Sequence, residues 1–126
     1  MVAAVIERDG RLLLGLRPAE KRHGGLWEFP GGKLDGTETA AEAAHRELKE
    51  ELSVEVTVVG ERLKTIKDEA SRFVIEFYPV VVDGEPVAIE HNEVRWFSPD
   101  ELGEYSLAPA DTAFANWLVA ERLREV

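Results

Sequence analysis

Val2 to Glu7 and Arg11 to Leu16 are apolar stretches of strand length separated by Asp9-Gly10, and this spacing predicts a β-hairpin. Arg17 to Gly25 breaks the pattern with a polar, basic loop. Leu26-Trp27-Glu28-Phe29 alternates over a short strand that Pro30-Gly31-Gly32 stops. The period then changes. Ala41, Ala44, Leu48 and Leu52 form one apolar helical stripe, and Thr39 with Glu42 has the spacing of a capping box, so a helix is expected over about 40–52. Strand patterns return at Val54–Val59, Phe73–Val82 and Val94–Phe97, with a turn signal at Asp83-Gly84. Ser98-Pro99-Asp100-Glu101 reads as a second capping box opening a short helix. The last helix is expected from about Ala110 to Arg124, with Phe114, Leu118 and Trp117 turned inward. Interleaved strands and helices with frequent hairpins predict an α/β or α+β fold, a mixed sheet between helices.

Composition narrows the class. The 126 residues are 44% hydrophobic and 32% charged, which suits one folded domain spanning 1–126 with a real core. No repeat, low-complexity tract or linker divides it. Absence of cysteine excludes disulfide scaffolds, thiolate zinc sites and thiol nucleophiles. The N-terminus lacks the basic start and apolar run of a signal peptide, and no apolar run approaches the ~18 residues of a membrane span. A cytoplasmic protein without a membrane partner is the resulting expectation.

The net charge of −10 repels polyanions, so a stable nucleic-acid partner is not expected. A small anionic substrate is compatible with this charge if local cations or a bound metal serve the site. Glu47, Glu50 and Glu51 fall within a sector of about 100° on the expected helix. Like charges so placed repel by a few tenths of a kcal/mol per pair. A hard divalent cation would offset that repulsion, and Mg²⁺ prefers carboxylate oxygens while keeping positions open for water and phosphate. Taken alone, the helix also fits a solvated face, with Glu42–Arg46 and Arg46–Glu50 pairing at i,i+4. Upstream, Gly31-Gly32 can bring backbone close to a ligand, and Lys33 adds a positive charge beside it.

Together these residues carry a family resemblance. Gly32, then five residues, Glu38, seven residues, and Arg46-Glu47-Leu48-Lys49-Glu50-Glu51 resemble the Nudix box of Nudix hydrolases. The usual glycine near its end is Ser53 here, where a left-handed helix exit would cost up to about 1 kcal/mol. Leu26-Trp27-Glu28-Phe29-Pro30-Gly31-Gly32-Lys33, Arg17 and Leu107-Ala108-Pro109-Ala110-Asp111 resemble the MutT-like branch. The resemblance implies a Nudix-type α/β/α sandwich and hydrolysis of a nucleoside diphosphate linked to another group, with a small nucleotide as substrate and a monomer or homodimer as the working form. It implies Mg²⁺, with Mn²⁺ as a substitute, held by Glu47, Glu50, Glu51 and the backbone carbonyl of Gly31. Arg46 would hold the glutamates in place. Glu90, six residues before Trp96, would add a metal-binding or catalytic acid, with Glu93 as its competitor and a solvated loop acid as the plainer reading. Either Glu47 or Glu90 would act on the attacking water.

Arg17 and Lys33 would contact phosphate oxygens. Phe29 either stacks on a base or packs in the core, and Asp111 either reads the amino edge of a base or sits in the first turn of the last helix. His23, His45 and His91 read as ordinary loop or surface residues. The leading expectation is a nucleoside triphosphate pyrophosphohydrolase that removes oxidised nucleotides such as 8-oxo-dGTP, or turns over CTP and dCTP-like nucleotides. A nucleotide-sugar pyrophosphatase of the ADP-ribose type is disfavoured by the lack of proline between Val54 and Pro79. A non-catalytic module for damaged bases is disfavoured by the intact set of acids.

Overall fold

The computed structural model describes residues 1–68 and 72–124. Strands β1 (Val2–Arg8), β2 (Arg11–Leu16), β3 (Trp27–Glu28) and β4 (Gly31–Gly32) precede helix α1 (Ala40–Leu52). Strands β5 (Glu55–Val59), β6 (Lys64–Lys67), β7 (Val74–Asp83) and β8 (Glu93–Phe97) follow. A 3₁₀ turn at Pro99–Glu104 leads into helix α2 (Pro109–Arg124).

The expected hairpin forms, but its strands stay paired only beside the turn, at Glu7–Leu12 and Arg8–Arg11. Beyond that point they take other partners. β1 runs parallel to β7 from Val2–Glu76 to Ile6–Val80, and β2 runs antiparallel to β8 from Leu12–Phe97 to Leu16–Glu93. β4 pairs antiparallel with the start of β1, at Val2–Gly32 and Ala3–Gly31, while β5 and β6 share the far edge of β7. The result is a mixed sheet whose main path is β3-β2-β1-β7-β5.

Both faces of this sheet are covered, which explains why β1 and β2 read as unbroken apolar runs. Ala3, Val5, Leu12 and Leu14 face a core completed by Phe114, Ala115 and Leu118 of α2. Ala4, Ile6 and Leu13 face the other way, onto Leu48 and Leu52 of α1. The molecule is an α/β/α sandwich with a mixed sheet between helices, as expected.

Helix α1 starts where the capping box places it. The Thr39 hydroxyl accepts the Glu42 N–H at 3.1 Å, and the Glu42 carboxylate accepts the Thr39 N–H at 2.9 Å. Its buried side differs from the expected stripe: Ala43 and Glu51 are buried, and Ala41 is only half-buried. The helix ends at Ser53, which adopts the left-handed conformation with φ 57°. β4 and β6 were not expected. β4 is two glycines, and β6 is a short polar segment ordered by its register on β7.

Candidate active site

The second half of α1 and the glycine pair of β4 set the acids in place. Gly31 must lack a side chain because a Cβ there would strike the Val2 carbonyl. At Gly32 a Cβ would come within 2.5 Å of the Glu47 carboxyl carbon, so this glycine makes room for that side chain. The Gly31 N–H donates to Glu51 Oε2 at 3.0 Å. The glycine pair thus seats two glutamates of α1 against the sheet edge.

Arg46 organises the helix's outer acids. Its Nε and Nη2 donate to both oxygens of Glu38, at 2.8 and 2.9 Å, and Nη1 donates to Glu47 Oε1 at 2.9 Å. Nη2 also donates to the Lys33 carbonyl at 3.0 Å, and Asp35 and Glu50 lie 3.5 Å away. The Glu38 carboxylate, and after it Glu47, raises the Arg46 pKa, and the guanidinium in turn holds the Glu38 carboxyl down at about 2. Arg46 therefore stands where it was expected, bracing Glu47.

Glu51 is the deepest of the three, 5% exposed. Burial first, and then the charges of Glu28, Glu47 and Glu90, push its carboxyl up to about 9. Glu47, half-buried, is also raised, chiefly by burial and against the pull of Arg46. Glu50 stands outside, with half of its side chain exposed.

The segment between β7 and β8 closes the site from the far side. The Val87 and Ile89 N–H groups donate to the Leu52 and Glu51 carbonyls, satisfying the end of α1. The Asn92 N–H donates to the Leu16 carbonyl on β2. Between these anchors Glu90 and His91 enter a pocket of about 140 Å³ with Arg17, Lys21, Glu28 and Glu51. Glu93 stays outside and pairs with Arg95 at 2.9 Å. Of the two, Glu90 lines the pocket.

Two residues of this pocket went unread. Glu28 accepts from Arg17 Nη1 at 3.0 Å on one oxygen and from His91 Nε2–H at 2.8 Å on the other. His91 is not an ordinary loop residue; it is 6% exposed. Glu28, Glu51 and His91 each offer a ligand atom, and these atoms lie within 4.8 Å of one another. Alternation along Trp27-Glu28-Phe29 already marked Glu28 as facing away from the core, whereas His91 had no such signal.

A second pocket of about 300 Å³ adjoins the first and shares Arg17 and Glu28 with it. Lys33, Phe73 and Asp111 line it too, so the expected substrate residues Arg17, Lys33 and Asp111 converge there. Asp111 is 6% exposed, its Oδ1 accepts the Phe29 N–H at 2.8 Å, and burial pushes its carboxyl up to about 8. Phe29 does not join them by its ring. It is 3% exposed and meets Phe77 and Phe114 edge-on, so it serves the core and presents no free face to a base. The aromatic of this pocket is Phe73, over whose ring Lys33 Nζ lies 4.6 Å from the centroid. A larger groove of about 830 Å³ between β5, β7 and α2 has mostly apolar walls, so the chemistry is located by the carboxylates and not by cavity size.

The oxygen-rich cluster suits a hard divalent cation, because burial and neighbouring carboxylates raise the Glu51 and Glu47 carboxyls and a cation would offset both causes. Flanking cations and a neighbouring pocket suit a phosphate chain with a ring at its end. Comparisons with known proteins agree. The NUDIX domain family matches residues 1–118. CTP pyrophosphohydrolase of Escherichia coli K12 is 43% identical over 125 residues, covering 97% of this chain and 92% of that protein. The 8-oxo-dGTP diphosphatase of Haemophilus influenzae is 32% identical over 125 residues, covering 95% and 91%. The crystal structure of a MutT NUDIX hydrolase from Burkholderia pseudomallei superposes with a TM-score of 0.82 at 31% identity, covering 91% of this chain and 93% of that one.

Proposed function

The chain belongs to the Nudix family, in its MutT-like branch, and acts on phosphoric anhydrides of nucleoside triphosphates; from that premise we propose that it is a Mg²⁺-dependent pyrophosphohydrolase releasing a nucleoside monophosphate and pyrophosphate. The observation that carries this reading is the convergence of Glu47, Glu51 and Glu90 with Arg17 at the mouth of a second, ring-sized pocket. Glu47, Glu50, Glu51, Glu90 and the Gly31 backbone would hold the cation, which would polarise the phosphoryl oxygens and lower the pKa of a bound water. Mn²⁺ would serve in its place.

Glu47, held by Arg46, orients and deprotonates the attacking water; Glu90 faces it as the second acid available for that task. Arg17 and Lys33 take phosphate oxygens. Asp111 reads the base. A carboxyl that retains its proton near neutral pH can donate as well as accept, which suits the amino and carbonyl edge of cytosine or guanine. Similarity to the bacterial CTP pyrophosphohydrolase supports CTP or dCTP as substrate, and similarity to the 8-oxo-dGTP diphosphatase supports an oxidised purine.

A panel of CTP, dCTP, dGTP and 8-oxo-dGTP, assayed with Mg²⁺ for pyrophosphate release, ranks these substrates by kcat/KM. Glu50→Gln and Glu51→Gln are expected to lose most of the rate, and full activity in both would remove the mechanism. Asp111→Ala is expected to reorder the ranking. An unchanged order means that Asp111 does not contact the base.

A further inference from the structure

We propose that His91 supplies a nitrogen ligand to the cation site, forming with Glu28 and Glu51 a mixed seat that favours Mn²⁺ and later first-row divalent cations over Mg²⁺. This rests on the reading of Glu51 as a cation ligand. The three side chains come from β3, from α1 and from the segment before β8, and their ligand atoms lie within 4.8 Å of one another. Glu47 and Glu50 would supply an oxygen-only seat for the harder ion.

Two observations separate this imidazole from one packed as filler. Its seat is built: a Cβ at Gly15 would come within 2.5 Å of His91 Cδ2, so β2 is kept bare where the ring lies. Its second nitrogen is uncommitted: Nε2 meets Glu28 Oε2 at 2.8 Å, and Nδ1, buried, has no hydrogen-bond partner among the described residues, so the ring's proton can sit on Nδ1 and leave the Nε2 lone pair to the acids.

The 2.8 Å between Nε2 and Oε2 already brings one nitrogen and one oxygen donor together. Nε2 of the Nδ1–H tautomer and the Glu28 and Glu51 carboxylates would hold the cation. Arg17 sits on the other oxygen of Glu28, where the two pockets meet. A nitrogen donor strengthens binding along the series from Mn²⁺ to Co²⁺ and Ni²⁺ and does little for Mg²⁺.

Pulsed electron paramagnetic resonance on the purified full chain loaded with Mn²⁺, without nucleotide, reads the ligand directly. The expected spectrum carries nitrogen modulation from one imidazole, absent in His91→Gln. Calorimetric titration is expected to show the preference for Mn²⁺ over Mg²⁺ falling about tenfold in His91→Gln. A wild-type spectrum without nitrogen modulation overturns the inference and needs no variant to fold. The two readings fail differently. If Glu51→Gln keeps both cation affinity and hydrolysis, the role of Glu51 falls, and this inference with it. If Glu51→Gln loses both while the wild-type spectrum lacks nitrogen, only the ligation by His91 is wrong.

Discussion

Glu51 shows how one side chain can be costly in the empty chain and useful in the loaded one. With its carboxyl raised from 4.5 to about 9, the folded protein retains a proton that the unfolded chain releases. The stability from that protonation is complete below about pH 4.5 and is lost as pH rises toward 9, at up to about 1.4 kcal/mol per pH unit. Thermal melts of the cation-free chain and of Glu51→Gln should therefore diverge with rising pH, the wild type losing ground. Magnesium should restore the wild type most at the alkaline end, where it replaces the proton. Parallel melting curves across the range would show that burial does not govern this carboxyl. Gly32 acts on the neighbouring acid by leaving space. Gly32→Ala forces a Cβ toward the Glu47 carboxylate, and a displacement of about 1 Å there is expected to cut kcat by about 100-fold with little change in fold, measured by steady-state kinetics beside circular dichroism.

At the level of elements, helix α1 is bounded by one good cap and one strained one. Ser53 occupies the left-handed region that glycine enters freely. Ser53→Gly should raise stability by up to about 1 kcal/mol in urea titration, while Thr39→Ala should lower it by about 1 kcal/mol through loss of the capping box. No gain at Ser53 would mean that the residue is favoured by contacts outside its backbone. This helix, the β1–β2 turn and α2 were legible because their signals are local: a capping box, a helical stripe, Asp-Gly between apolar runs. The Nudix box was legible for the same reason, since Glu47, Glu50 and Glu51 gain their meaning from helical spacing. β4, β6 and His91 were not, because each depends on a partner far away in sequence. Lys64–Lys67 is a strand only against Val74–Phe77, and His91 reaches the acids only because Ile89 docks on the end of α1. Phe29 stayed open between base and core for a related reason: an apolar residue on a strand gives no sign of which neighbours will cover it.

Across the whole molecule, two cores meet through one sheet. Alternate residues of β1 serve α1 and α2, so neither helix has an independent foundation. Phe114, stacked 4.1 Å from Phe77, is central to the α2 side. Phe114→Ala should cost about 3–5 kcal/mol, and unfolding followed by tryptophan fluorescence and by far-ultraviolet circular dichroism should keep one shared midpoint. Separate midpoints would show that the two layers can come apart. The charge also resolves at this scale. Against a net charge of −10, Arg17, Lys21 and Lys33 set local positive charge along the two pockets.

The docking of Val87 and Ile89 on the last turn of α1 has a consequence for synthesis. A chain still emerging from the ribosome possesses its glutamate helix long before Glu90 and His91 have been added. Until the later segment latches on, that helix should attract divalent ions no better than any acidic peptide. Nascent chains stalled before residue 84 and after residue 124 would reveal the difference as weak and strong manganese retention.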